Sequence, residues 1–276
     1  MKKPILLLSF FLILFAFKPK PITWVAIGDS ITYLNDHPEE TGNRITKGYL
    51  TLVKENFPDI EVVNKGYNGW TAVRIAEEFQ KLDIPKAEVY SIFLGTNDWW
   101  RGNPLGTPDD YLQNTGSGTV LGSFRLIVDQ IKQLNPSAKI ILITPMQRVD
   151  FVYINNPKNN AYGSYRSKNG QSLADFAEAL VDIGRQENFD TVDLYHLKGL
   201  SHKDLVKFKR LKNPGTGEYQ NYSYPDFIDI PFDPENDDYP YPLESIGMTY
   251  DGLHPSDKGY RLIGKTLEKI FRNLRE

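Results

Sequence analysis

Five short apolar runs recur along the chain, each separated from the next by a stretch whose apolar residues fall at helical spacing. The runs cover residues 22–27, 60–63, 87–94, 139–144 and 189–194, and the helical stretches cover 45–57, 72–81, 119–134, 172–187 and a closing 256–273. Runs such as Ile22-Thr23-Trp24-Val25-Ala26-Ile27 are too continuously apolar for a half-solvated sheet and read as strands buried on both faces. Strands alternating with helices in this way require a parallel sheet with right-handed crossovers and helices on both faces. The expectation is a three-layer α/β/α domain. Pro58, Asn135-Pro136 and the Gly/Pro/Asn-rich stretch 101–118 punctuate the pattern.

Two segments break the rhythm. Residues 195–250 lack clear periodicity and are long for a connection in a compact domain. Their many tyrosines argue for order, and the expectation is an ordered excursion lying over the active edge of the sheet. At the other end, Lys2 and Lys3 precede the apolar run Ile5 to Phe17, and Lys18-Pro19-Lys20-Pro21 closes it. A basic start and a run too short for a comfortable span read as a signal peptide over residues 1–20. The expected layout is therefore a signal peptide and one domain over 21–276, exported and with no stable membrane span.

The 276 residues suit one full-sized core, and a net charge of −3 gives no basic footprint for nucleic acid. The chain has no cysteine, which excludes a disulfide framework, a thiol nucleophile and a lipidated cysteine anchor. His37, His196 and His202 show no metal-ligand spacing, so neither metal nor cofactor is expected.

Polar residues gather where strands end. Gly28-Asp29-Ser30 follows the first strand, Asn64-Lys65-Gly66-Tyr67-Asn68-Gly69-Trp70-Thr71 the second, and Gly95-Thr96-Asn97-Asp98-Trp99-Trp100 the third. Asp251-Gly252-Leu253-His254-Pro255 precedes the last helix. Carboxyl ends of parallel strands are where such sheets bind ligands. A serine there needs a base to take its proton, an imidazole suits that task, and a carboxylate must fix the imidazole's tautomer. Ser30, His254 and Asp251 supply these types. The N–H groups of Ser30 and Gly69 and the amide of Asn97 are available donors for an oxyanion.

In order and placement these four blocks resemble those of the SGNH, or GDSL-type, hydrolases. The resemblance implies a flavodoxin-like five-stranded parallel sheet, Ser30 as nucleophile, and Asp251 with His254 completing the triad. It implies Gly69 and Asn97 as oxyanion-hole donors beside Ser30, with Gly66 as the alternative glycine. Asp29, Asn68, Trp99 and Trp100 are candidates for the substrate pocket. The crowding of Trp, Tyr and polar residues, with no long apolar stretch for an acyl tail, favours a small acyl ester on a carbohydrate. A lipase or lysophospholipase, an O-acetyltransferase and a non-catalytic glycan-binding protein are the alternatives.

Overall fold

A computed structural model describes residues 21–275, so the signal peptide expected over 1–20 lies outside the described residues. The first half of the chain runs β1 (Ile22–Gly28), α1 (Ser30–Tyr33), α2 (Tyr49–Asn56), β2 (Ile60–Gly66), α3 (Ala72–Glu78), β3 (Val89–Phe93), α4 (Thr96–Arg101), α5 (Pro108–Leu112) and α6 (Val120–Leu134). The second half runs β4 (Lys139–Ile143), β5 (Phe151–Val152), β6 (Asn160–Ala161), α7 (Leu173–Glu187), β7 (Asp190–Val192), α8 (His202–Leu205), β8 (Lys209–Lys212), β9 (Tyr219–Tyr222) and α9 (Asp257–Asn273).

The central sheet has five parallel strands in the order β2-β1-β3-β4-β7. After β1 the chain steps outward to β2, then returns to the other side of β1 for β3. The winding direction therefore reverses between β1 and β3, and the loops leaving their carboxyl ends diverge to open a crevice. Ser30 opens α1 after the first of these strands, and Asn97 lies in the first turn of α4 after the second.

Side chains alternate along β1 with a period of two. Trp24 and Ala26 join Tyr49, Val53, Ile263 and Phe271 on one face, while Val25 and Ile27 join Ile75, Ile92, Phe124 and Phe176 on the other. This is why the run reads as continuously apolar: both faces are covered. Trp24 packs its ring on Phe271 at 4.7 Å and satisfies its N–H on the Ser91 hydroxyl at 2.9 Å. Helices α3, α6 and α7 cover one face, and α2 and α9 the other. Thr71, Thr119 and Ser172 cap α3, α6 and α7 by accepting N–H bonds three residues on, which fixes where those helices start.

Two expectations are corrected. The helix expected from residue 45 starts at Tyr49, because the N–H and hydroxyl of Thr46 both bind Asp257 at the head of α9, at 2.7 and 2.9 Å, and Gly48 stays extended. The stretch 195–250 is ordered but contributes nothing to the walls of the catalytic cavity described below. Instead Leu205, Leu211, Phe227 and Tyr241 enter the core shared with α2 and α9. From there the stretch holds the 150–152 backbone from behind: Tyr239 Oη donates to the Val152 carbonyl at 2.9 Å, Tyr241 Oη donates to that of Asp150, and Lys209 Nζ reaches the Asp150 carboxylate at 2.9 Å. Among the described residues no helix is long and apolar enough to cross a membrane.

Candidate active site

α1 begins directly after β1. Asp29 caps it, its carboxylate accepting the Ile31 N–H at 3.0 Å, and Tyr260 Oη clamps the turn by donating to the Ile31 carbonyl at 2.9 Å. Ser30 is left partly exposed at the carboxyl edge of the sheet. His254 Nε2 stands 2.8 Å from Ser30 Oγ, and His254 Nδ1 stands 2.7 Å from Asp251 Oδ2. Asp251 is wholly buried, and its other oxygen accepts the N–H groups of Leu253 and His254 at 3.0 and 2.7 Å. Two rings pack against the imidazole, Tyr250 nearly parallel to it with centroids 5.8 Å apart and Phe151 nearly perpendicular at 5.4 Å. Gly252 makes the turn between acid and base possible: its φ is +90°, and a Cβ there would meet the Asp150 carbonyl oxygen at 2.0 Å.

This line of groups can move a proton from Ser30 to His254 while Asp251 stabilises the resulting cation. Ser30, Gly69 and Asn97, the candidate oxyanion donors, line one cavity. Gly69 lies in the cavity wall, and neither its N–H nor that of Ser30 meets a protein acceptor among the described residues. Gly66 is excluded from that part. It ends β2, its N–H is taken by Asn64 Oδ1 at 2.9 Å, and its Cα side presses on the Tyr33 N–H. Asn97 Nδ2 donates to the Trp70 carbonyl at 3.0 Å, which orients the amide. Its second contact, to Asp29 Oδ2, is long at 3.4 Å and weak enough to yield to an oxyanion.

A cavity of about 440 Å³ opens over Ser30 and His254. Asn68, Gly69, Asn97, Trp100 and Arg101 line it from the β2 and β3 loops, and Arg148, Phe151, Tyr153, Asn159 and Ala161 from the segment after β4. Two of the pocket candidates are not in its walls. Asp29 is 2% exposed and turned into the cap of α1, where burial pushes its carboxyl up to about 6. Trp99 is fully buried, its indole N–H bound to the Gln171 carbonyl at 3.0 Å. Adjacent residues of a helix face different ways, so only one of the two tryptophans reaches the cavity, and it is Trp100. Asp98 is a brace: its carboxylate accepts the Ala72 N–H at 2.8 Å at the start of α3.

The wall contributed by residues 148–161 was not foreseen. It includes Arg148, a guanidinium only 1% exposed. The one sequence signal is a charged residue among apolar neighbours (Met146, Val149, Phe151) just past a strand's carboxyl end. At the rim, His37, Glu39 and Glu40 bring their polar atoms within 4.8 Å of one another, although their spacing matches no ligand motif.

A parallel sheet in this order, with a nucleophile turn at the end of β1, is the three-layer architecture of the SGNH hydrolases. The chain belongs to the GDSL-like lipase/acylhydrolase family, whose model matches residues 26–262. A structure from Chitinophaga pinensis, described as a possible lipase, is 59% identical, with a TM-score of 0.91 over 92% of this chain and 98% of that one. A protein from Lactobacillus plantarum shares the fold at 19% identity and a TM-score of 0.60, over 91% of this chain and 97% of its own. The lipase/acylhydrolase from Enterococcus faecalis does so at 16% identity and a TM-score of 0.52, over 91% and 96%. No curated protein matches the chain.

Proposed function

We propose that this hydrolase is an exported serine esterase that removes small acyl groups, acetyl foremost, from a carbohydrate. Ser30 Oγ attacks the ester carbonyl carbon as its proton passes to His254 Nε2. Negative charge collects on the carbonyl oxygen, where the N–H groups of Ser30 and Gly69 and the Asn97 amide receive it. Collapse breaks the bond to the sugar oxygen, which takes the proton from His254 and leaves as the free hydroxyl. Water, deprotonated by the same imidazole, then hydrolyses the acyl-Ser30 ester and releases the carboxylic acid. Export rests on the basic-then-apolar start of the sequence, and residues 1–20 would be removed with it.

The observation that carries the choice of substrate is the lining of the cavity. Asn68, Asn97 and Asn159 offer hydrogen bonds to hydroxyls, and Trp100 and Tyr153 offer aromatic surface. Among the described residues, aliphatic surface comes only from Leu34, Ala161 and Leu253, too little to sheathe a long acyl tail. A second reading, a lipase-type esterase, is favoured by the description of the Chitinophaga pinensis relative. Hydrolysis of p-nitrophenyl acetate, butyrate and octanoate separates the two. Turnover that falls steeply from acetate to octanoate, with acetate release from acetylated xylan or pectin, supports the first; a preference for octanoate moves the function to lipids.

A further inference from the structure

Arg148 lines the catalytic cavity, yet its Nε and Nη2 have no hydrogen-bond partner among the described residues. The two carboxylates that act on it most strongly are committed elsewhere, Asp150 to Lys209 Nζ at 2.9 Å and Asp251 to His254 at 2.7 Å. Burial lowers its pKa to about 10, which leaves it a cation at neutral pH. The faces of the guanidinium are provided for: the rings of Trp99, Trp100 and Phe151 lie 5.7, 5.3 and 5.9 Å from its central carbon. Its N–H edge is not. Buried donors without acceptors are costly and rare in folded proteins, and a planar fork of N–H groups matches the two oxygens of a carboxylate.

The geometry points to a carboxylate on the substrate as the missing partner of Arg148, so that the ester hydrolysed at Ser30 is carried by a sugar acid. The assignment rests on the esterase reading above for the choice of a sugar. Phe151 touches both ends of the arrangement, its ring 5.9 Å from the Arg148 guanidinium and 5.4 Å from the His254 ring. Guanidinium and imidazole thus pack on one ring and line one cavity with Ser30, so a single sugar acid can present its carboxyl to the first and its acyloxy group to the second. Arg101 at the rim adds a second positive charge to the lining against the single carboxylate of Glu40.

Calorimetric titration tests this without turnover. The whole protein, Arg148→Gln and Arg148→Lys are each titrated with galacturonate, N-acetylneuraminate and their methyl esters. One free acid should bind the unaltered protein roughly 10- to 100-fold more tightly than its methyl ester, as charge-assisted hydrogen bonds imply. Arg148→Gln should lose that preference, and Arg148→Lys, which keeps the charge without the fork, should retain part of it. Equal binding of acid and ester by the unaltered protein, or binding of neither acid, overturns the assignment. So does a folded Arg148→Gln that still prefers the acid, since a merely structural arginine would change the melting temperature and leave the preference intact. Should Arg148→Gln fail to fold, the unaltered protein and Arg148→Lys still decide. The chain-length series with p-nitrophenyl esters contains no acid group, so its outcome bears on the esterase reading alone.

Discussion

Asp251 holds His254 twice, through the ring Nδ1 at 2.7 Å with one carboxylate oxygen and through the residue's own backbone N–H at 2.7 Å with the other. Orientation of the imidazole and folding of the turn that carries it therefore depend on a single buried side chain. Asp251→Asn keeps the size but presents an amide N–H to one of these partners, favouring the wrong tautomer if it faces the ring. The expected loss in kcat on p-nitrophenyl acetate is about 10⁴-fold. A loss below tenfold would separate Asp251 from the reaction.

Asn97 is aimed by the Trp70 carbonyl at 3.0 Å and only loosely engaged by Asp29 at 3.4 Å. Removing the amide with Asn97→Ala takes away a donor used in the transition state. Turnover should fall about 10²–10³-fold with KM little changed. Steady-state kinetics on the acetate ester reads both constants; a rise in KM at constant kcat would make Asn97 a substrate-binding group instead.

Asp29 predicts a pH dependence of stability. Burial raises its carboxyl from 3.8 to about 6, helped by the charge of Asp98 and opposed by the Ile31 N–H and His254. Between those values the unfolded chain loses the proton and the folded chain keeps it. The stability tied to the protonated form is complete below 3.8 and is lost as pH rises through about 6. Asp29→Asn can still cap α1 and has no proton to lose. Its stability relative to the unaltered protein should rise by roughly 2 kcal/mol from pH 4 to pH 7, read from urea unfolding at both. A difference that is the same at both values would contradict this.

Lys209 reaches across from the 195–250 stretch to Asp150 behind the cavity wall, and the two side chains are only 4% and 16% exposed. Lys209→Met removes one member of a largely buried pair. The loss of stability should be about 3 kcal/mol, at the low end for such pairs because Asp150 keeps some contact with solvent. Turnover should fall as well, since Phe151 and Arg148 flank Asp150 in the wall. Denaturant unfolding and acetate-ester kinetics on the same variant check both, and unchanged stability would mean that the excursion does not brace the wall.

What the sequence disclosed follows from periodicity. β1, with alternate side chains in two cores, leaves a run that reads as a strand without any structure, and the cap residues Thr71, Thr119 and Ser172 mark helix starts to within a residue. The strand ends, and with them the neighbourhood of Ser30, Asn97 and His254, were legible for the same reason. Direction within a loop was not. Trp99 and Trp100 differ by one position and go to core and cavity respectively, and of Gly66 and Gly69 one ends β2 with its N–H already bonded while the other lies in the cavity wall. The 195–250 stretch could be seen to be ordered but not where it lies, because its partners, such as the Asp150 and Val152 backbone, are far away in the chain. Arg148 was invisible for a related reason: an isolated arginine carries no pattern, and only its three-dimensional surroundings reveal that it is buried and unpaired.

The central claim is that Ser30 is an activated nucleophile. Incubation with diisopropyl fluorophosphate, followed by intact-mass and peptide mapping, tests it most directly, because only a serine deprotonated by a neighbouring base attacks this reagent at a useful rate. The account predicts one phosphoryl adduct on Ser30, none on Ser30→Ala or His254→Ala, and loss of ester hydrolysis in step with labelling. An adduct on another residue, or full hydrolysis of p-nitrophenyl acetate by Ser30→Ala, would contradict it.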